Sequence, residues 1–241
     1  MTTYVLLHGG GMGGWVWRHV AAPLRAAGHD VLTPTFTGFG ERVHLLSKDH
    51  GHDVHVQDVL GVLRYEDVSD VVLVGHSFAG TVIPGVVAQE GGRIGRVVYL
   101  DAVMSYSGES VSETMGQMLA DQMPGVRAAV QGGQAGPGTD VHLRQRELLA
   151  ANPHDVPAER MEWLLEHLSD MPLRSVVDPV AVGVETLPRT TEYIAAKNDP
   201  TMARSHERAV ELGWQVHEWK ADHSFIVGQP EQVADFLLGR S

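Results

Sequence analysis

The chain has no cysteine among its 241 residues, which excludes disulfides, thiolate metal sites, iron–sulfur clusters and a cysteine nucleophile. Basic residues are also few, with 18 lysines and arginines against 30 acidic residues and a formal net charge of −12. This balance argues against a general nucleic-acid-binding protein, which needs a basic face for phosphate groups. No apolar run approaches the roughly 20 residues of a membrane-spanning helix. We expect a globular cytoplasmic protein that binds neither nucleic acid nor membrane.

Short apolar runs alternate with helix-like segments along most of the chain. Strands are predicted at Tyr4–Leu7, Asp30–Thr33, Val71–Val74, Arg96–Leu100, Tyr193–Ala196 and Gln215–Trp219. Helices are predicted at Trp15–Ala27, Asp53–Arg64, Thr81–Gln89, Pro157–Leu168, Met202–Leu212 and Glu231–Leu238. Repeated β-α-β units with right-handed crossovers predict an α/β fold with a doubly wound, mostly parallel sheet.

The alternation of strands and helices stops between residues 104 and 187. Glycine, proline, glutamine and methionine accumulate there, and six of the nine methionines lie between Met104 and Met171. We interpret residues 104–187 as a helical cap inserted into a core formed by residues 1–103 and 188–241.

The segment Gly75–Gly80, with the sequence Gly-His-Ser-Phe-Ala-Gly, is the strongest functional signal. It follows a buried strand and precedes a helix, which is the context of a nucleophile elbow. In such a turn the residues two positions before and after the serine must be small, and Gly75 and Ala79 meet this requirement. Ser77 is therefore the predicted nucleophile.

A serine nucleophile needs a base within hydrogen-bonding distance and a carboxylate that orients the base. Among the 14 histidines, His223 follows the last predicted strand and precedes the last helix, at the carboxyl edge of the sheet. Asp199 follows strand Tyr193–Ala196 at the same edge and is the preferred acid. Asp101, which follows strand Arg96–Leu100, is the alternative. Asp199 is also expected to cap the helix that follows it.

Acyl transfer also requires two backbone N–H groups for the developing oxyanion. Phe78, directly after the nucleophile, supplies one, and the glycine loop after the first strand supplies the other. Gly10 is preferred there, with Gly11 as the alternative. The loop also matches a dinucleotide fingerprint, Gly-x-Gly-x-x-Gly, but the second strand ends without the acidic residue that would bind a ribose.

Two groups of residues have less specific signals. His44, His50, His52 and His55 crowd a polar segment, but their spacing matches no closed zinc pattern, so a solvated loop without metal is expected. Gly11, Trp15 and Met104 are candidates for the substrate pocket.

Together these residues resemble the α/β-hydrolase superfamily, and within it the branch of plant methyl esterases, hydroxynitrile lyases and bacterial esterases. The resemblance is carried by the opening pattern from His8-Gly9 to Trp15-Val16-Trp17, the Gly-His-Ser elbow, the strand followed by Asp199, and Ala221-Asp222-His223. It implies a triad of Ser77, Asp199 and His223, with oxyanion donors at Gly10 and Phe78. Residues Thr37–Arg42 are more similar to bacterial members than to plant ones.

The resemblance implies a serine hydrolase that cleaves small carboxylic esters through an acyl-enzyme and needs no cofactor. A lyase that uses the same triad and a non-catalytic small-molecule receptor are the alternatives. The lyases of this branch carry a threonine two residues after the loop histidine and a lysine directly after the catalytic histidine. Gly10 and Ser224 stand at those positions, which favours the esterase. The sequence leaves a homodimer open.

Overall fold

The computed structural model describes residues 1–116, 123–132, 135–141 and 155–240. Its centre is a six-stranded sheet in the order β2-β1-β3-β4-β5-β6, in which every neighbouring pair is parallel. The strands are β1 Thr3–Leu7, β2 Asp30–Leu32, β3 Val71–His76, β4 Ile94–Leu100, β5 Glu192–Ala196 and β6 Gln215–Trp219. This confirms the predicted doubly wound parallel sheet and each of the six predicted strands.

Helices lie along the connections between the strands. They are α1 Arg18–Ala26, α2 His52–Tyr65, α3 Ile83–Glu90, α4 Val111–Met115, α5 Pro124–Val130, α6 Ala158–His167, α7 Arg174–Val177, α8 Ala203–Glu211, α9 Phe225–Gly228 and α10 Pro230–Leu237. Short 3₁₀ turns occur at Gly14–Trp17, Gly40–Leu45, Ser77–Thr81, Gly91–Arg93, Val184–Thr186 and Pro200–Met202. None of the described helices is long and apolar enough to cross a bilayer.

The two faces of the sheet bury separate apolar clusters. Val5 and Leu7 of β1 pack into one cluster, whereas Tyr4 and Leu6 pack into the other. Because side chains alternate along a strand, this division means that β1 is covered on both faces. The strand order reverses between β1 and β3, so the loops that follow these two strands flank the crevice where open α/β sheets bind ligands.

Residues 105–109, which follow β4, are hydrogen-bonded to residues 180–184, which precede β5. The amide of Gly108 donates to Val180 O over 2.9 Å, and the amide of Val180 donates to Glu109 O over 2.9 Å. Val184 N donates to Ser105 O over 3.0 Å. We call this paired region, residues 105–109 and 180–184, the neck.

A buried ion pair fixes the neck to α8. Arg208 is 6% exposed, and its guanidinium contacts the Glu109 carboxylate at 2.6 and 2.8 Å. The same guanidinium donates to Met104 O over 2.5 Å and lies 4.4 Å from the centre of the Tyr106 ring. One side chain of the core thus holds the first residues of the insertion.

Two of the histidines expected in a solvated loop are buried instead. Helix α2 begins at His52, one residue earlier than predicted, so His52 and His55 lie on its inner face. His52 Nε2 donates to Thr81 Oγ1 over 3.1 Å, and His55 Nε2 lies 2.7 Å from Ser175 Oγ. Burial, with a smaller contribution from the neighbouring His55, lowers the pKa of His52 to about 3, so the His52 ring stays neutral at ordinary pH.

We expect Glu109→Gln to lower the free energy of unfolding by about 2 kcal/mol, because it leaves the buried Arg208 charge without its counterion. Urea denaturation measures this value. Glu218→Gln is the matched control, since its ion pair with Lys197 is about half exposed on both sides and exposed pairs contribute little. Equal losses in the two variants would contradict the role given to Arg208.

We also expect the free energy of unfolding to fall as the pH drops from about 6.5, the usual histidine pKa, towards 3. In that window the unfolded chain takes up protons on His8 and His52, whereas the folded chain, in which both pKa values are lowered to about 3, does not. Each histidine contributes a slope of about 1.4 kcal/mol per pH unit. His52→Gln keeps a donor for Thr81 and should flatten the pH dependence measured by urea denaturation, whereas the exposed His44→Gln should not.

Candidate active site

Ser77 lies at the sharp turn between β3 and the 3₁₀ helix Ser77–Thr81, with a φ of 54°. Serine rarely adopts this left-handed region, so the turn places a strained residue at the carboxyl edge of the sheet. The turn tolerates only small neighbours: a Cβ on Gly75 would come within 2.6 Å of Ile83 Cδ1 and 3.2 Å of Ala79 Cβ. The observed geometry is that of the predicted elbow.

His223 reaches Ser77 from the loop between β6 and α9. Its Nε2 lies 2.9 Å from Ser77 Oγ, and its Nδ1 lies 2.7 Å from Asp101 Oδ2. With the proton on Nδ1, the ring donates to Asp101 and accepts from the Ser77 hydroxyl. A serine, an imidazole and a carboxylate therefore form one hydrogen-bonded chain.

Asp101 directly follows β4 and is 2% exposed. It has a φ of 44°, in the left-handed region that non-glycine residues rarely adopt. Its second oxygen, Oδ1, accepts a hydrogen bond from the Ala196 amide over 3.1 Å. Asp101 is thus fixed by β5 while it contacts the base.

Asp199, the preferred acid, does not make this contact, and the prediction is corrected: Asp101 is the carboxylate that meets the His223 ring. Asp199 lies three residues beyond β5, and its Oδ1 accepts the Thr201 amide over 2.8 Å and the Thr201 hydroxyl. Its predicted capping role is confirmed, since it caps the 3₁₀ helix Pro200–Met202.

The electrostatic environment sets His223 apart from the other buried histidines. Burial of the ring lowers the pKa of His223, but the hydrogen bond and charge of Asp101, together with the charges of Asp199 and Asp222, outweigh it. The pKa of His223 is therefore raised above its usual 6.5. A base with such a pKa takes up a proton readily when a neighbouring hydroxyl releases one.

The glycine loop after β1 lies against the Ser77 turn. A Cβ on Gly9 would lie 3.0 Å from Ser77 Cβ, and a Cβ on Gly10 would lie 3.9 Å from Phe78 Cβ and 3.1 Å from Met171 Sδ. A side chain at Gly9 would crowd the Ser77 turn, whereas a side chain at Gly10 would press mainly on the flexible end of Met171. The structure thus brings Gly10 and Phe78, the predicted oxyanion donors, next to each other beside the nucleophile.

His8, whose role the sequence did not indicate, fixes this loop. Its Nδ1 donates to Gly9 O over 2.8 Å, and its Nε2 accepts the Phe36 amide over 3.1 Å. Burial is the main cause that lowers the pKa of His8 to about 3, so the neutral form that serves both bonds persists. Its position directly before the two glycines was the available signal.

The three pocket candidates have different surroundings. Gly11 lies in the glycine loop, with a φ of 70°, and its carbonyl accepts the Ser169 amide over 2.9 Å. The Trp15 ring packs 5.1 Å from the ring of Trp163 on α6. Met104 is fully buried among core residues. Met171 is also buried and lies over Gly10.

Across the described residues, no three histidine or acidic side chains are gathered as metal ligands. The described site thus brings a hydroxyl, an imidazole and a carboxylate into one hydrogen-bonded chain, with the glycine loop beside it.

The chain is similar to known esterases over nearly its whole length. The chain is 34% identical, over 98% of its length and 98% of the relative's, to a carbendazim hydrolyzing esterase of Nocardioides sp. strain SG-4G. It is 24% identical, over 99% of its length and 97% of the relative's, to Methylesterase 9 of Arabidopsis thaliana.

Solved structures share the fold at lower identity. An extracellular α/β-hydrolase from a Paenibacillus species superposes with a TM-score of 0.78 at 21% identity, covering 100% of this chain and 99% of that one. A pyrethroid hydrolase from Sphingobium faniae JZ-2 gives a TM-score of 0.75 at 21% identity, covering 99% and 96%. The profile of the Alpha/beta hydrolase family matches residues 4–236, and this chain belongs to that family.

Proposed function

We propose that this protein hydrolyses small carboxylic esters through a triad of Ser77, His223 and Asp101. The observation that carries the proposal is the unbroken chain from Ser77 Oγ through the imidazole to Asp101 Oδ2, with distances of 2.9 and 2.7 Å. The esterases among the full-length relatives support a carboxylic ester hydrolase.

In the acylation step, His223 Nε2 removes the Ser77 proton as Ser77 Oγ attacks the ester carbonyl. The imidazolium is stabilised by the Asp101 carboxylate against Nδ1. The carbonyl oxygen becomes an oxyanion, for which the amides of Gly10 and Phe78 are the proposed donors. One such donor contributes about 3–4 kcal/mol to transition-state stabilisation.

The tetrahedral intermediate collapses when the C–O bond to the alcohol breaks. His223 returns its proton to the departing alkoxide, and an acyl-enzyme on Ser77 remains. Water then attacks the acyl carbonyl as His223 again removes a proton, and the acid leaves while Ser77 regains its hydrogen. Every proton transfer passes through one nitrogen, His223 Nε2.

Residues 104–187 serve in this proposal as the cap, and residues 1–103 and 188–241 as the catalytic core. Two observations support this division: the hydrogen-bonded neck, and the contact of Met171 with the proposed oxyanion loop. The substrate is a small-molecule ester, and the proposed location is the cytoplasm.

We expect Ser77→Ala to reduce kcat/KM by about 10⁴-fold or more while the thermal unfolding temperature stays near that of the wild type, since the nucleophile is lost without a packing defect. The measurement is hydrolysis of p-nitrophenyl esters from acetate to decanoate, with carbendazim as a further substrate. Ser69→Ala, at an exposed turn, is the matched control. A folded wild type that cleaves no ester but releases aldehyde from a cyanohydrin would instead identify a lyase.

We expect kcat/KM to fall with decreasing pH through a midpoint above about 6.5, because only neutral His223 acts as the base and its pKa is raised. The profile is measured from pH 5 to 9 on an uncharged ester. Samples returned from each pH to 7.5 should regain full activity, which separates titration of the base from acid unfolding. A midpoint below 6 would contradict the assigned environment of His223.

A further inference from the structure

The base is held at its backbone as well as at its ring. The carbonyl of His223 accepts a hydrogen bond from His76 Nε2 over 2.9 Å. The His223 backbone amide is among the groups that act electrostatically on the Asp199 carboxylate. The ring itself contacts Asp101 and Ser77. The backbone carbonyl and both ring nitrogens of His223 therefore have hydrogen-bond partners on the core.

His76 is suited to this contact because it is fully buried and neutral. Burial is the largest cause that places the pKa of His76 well below 6.5, and the nearby His223 lowers it further. A neutral ring with its proton on Nε2 donates continuously to the His223 carbonyl. The two rings lie 4.8 Å apart, so a second positive charge there would oppose protonation of the base.

His76 also directly precedes the nucleophile. Its hydrogen bond therefore joins the backbone of the base to the same turn that presents Ser77. A shift of the loop between β6 and α9 would have to break this bond before the distance between Ser77 Oγ and His223 Nε2 could change.

Asp199 lies near the same peptide. Its carboxylate is fixed by the amide and hydroxyl of Thr201, so it presents a fixed negative charge towards His223. Burial alone would raise the pKa of Asp199, but the Thr201 hydrogen bonds and His223 lower it below its usual value. Asp199 thus remains ionised and keeps a negative charge near the base without touching its ring.

We propose that Asp199 and His76 are positioning residues that hold the backbone of His223, while Asp101 alone orients its ring. The inference rests on the proposed function in naming His223 as the base. The proposal gives different roles to Asp101 and Asp199, whose carboxylates follow the neighbouring strands β4 and β5. The charged and titratable groups facing His223 are Asp101, Asp199, Asp222 and His76.

Proton NMR of the free protein tests this assignment without any substrate. The proton on Nδ1 of His223, shared with a carboxylate, should give a far-downfield resonance that disappears in His223→Gln. We expect Asp199→Asn to keep this resonance and Asp101→Asn to lose it. The pKa of His223, read from its ring-proton shifts, should fall in both variants because each removes a negative charge.

Kinetics then separate the two carboxylates. Asp101→Asn should lower kcat by roughly 10³–10⁴-fold, as expected when the orienting carboxylate is lost. Asp199→Asn keeps an acceptor oxygen for Thr201, so we expect a loss of about threefold to tenfold and an acid limb of kcat/KM shifted to lower pH. Asp199→Ala removes the acceptor too and should lose more activity, so that asparagine partly rescues it.

His76 has its own pair of variants. Glutamine can still donate to the His223 carbonyl, whereas leucine cannot, so His76→Gln should retain more of kcat than His76→Leu.

For the Asp101 and Asp199 variants, Asp235→Asn, at an exposed residue of α10, is the matched control for a lost carboxylate charge. Urea denaturation of each variant identifies any loss that comes from unfolding.

The opposite NMR result would overturn the proposal: a downfield resonance lost in Asp199→Asn and kept in Asp101→Asn makes Asp199 the orienting acid. Equal activity and equal pH profiles in Asp199→Ala and wild type would also refute a positioning role. A wild type inactive on every ester would refute the proposed function, whereas the NMR result would still decide between the two carboxylates.

Discussion

The register between β3 and β4 is the constraint on which the site depends. His76 pairs with Leu100, so the next residues, Ser77 and Asp101, leave the sheet side by side. Both have a positive φ, which costs of order 1–3 kcal/mol at each residue. Backbone hydrogen bonds oppose this strain: Val103 N donates to Ser77 O over 2.9 Å, and Asp101 N donates to Ile194 O over 2.7 Å. The parallel sheet thus fixes Ser77 and Asp101, the proposed nucleophile and acid, relative to each other, independently of the loop that carries His223.

Two adjacent imidazoles show how environment selects one base. His76 is fully buried and the His223 side chain is 20% exposed, and their pKa values move in opposite directions. Three carboxylates act on His223, whereas the partner of His76 is a backbone carbonyl, which favours a neutral donor. One ring can therefore accept a proton from Ser77 while its neighbour holds the loop. When the environments of two neighbouring titratable groups shift their pKa values in opposite directions, the two groups can be assigned different acid–base roles.

The sequence predicted the sheet, the elbow at Ser77 and the base because each depends on local pattern: buried β-branched runs, small residues around a turn, and a histidine after the last strand. The acid depends on geometry that no local pattern contains. Asp101 and Asp199 both follow strands, so their positions in the sequence do not distinguish them. The structure does: Asp101 has a left-handed backbone turn, whereas Asp199 caps the 3₁₀ helix Pro200–Met202. His52 was misplaced for a simpler reason, since a helix that begins one residue earlier carries it from a polar segment to the inner face.

The insertion and the glycine loop also depend on each other. Ser169 donates its amide to Gly11 O over 2.9 Å, and its hydroxyl accepts the Gly40 amide over 2.7 Å. Two residues later, Met171 covers Gly10. Arg208 holds the neck, and Ser169 holds the segment before Met171 against the glycine loop, so the proposed cap has two separated contacts with the proposed core. Because Met171 covers Gly10 next to the Ser77 turn, a substitution at Met171 should change the surroundings of the proposed oxyanion loop as well as the packing of the proposed cap.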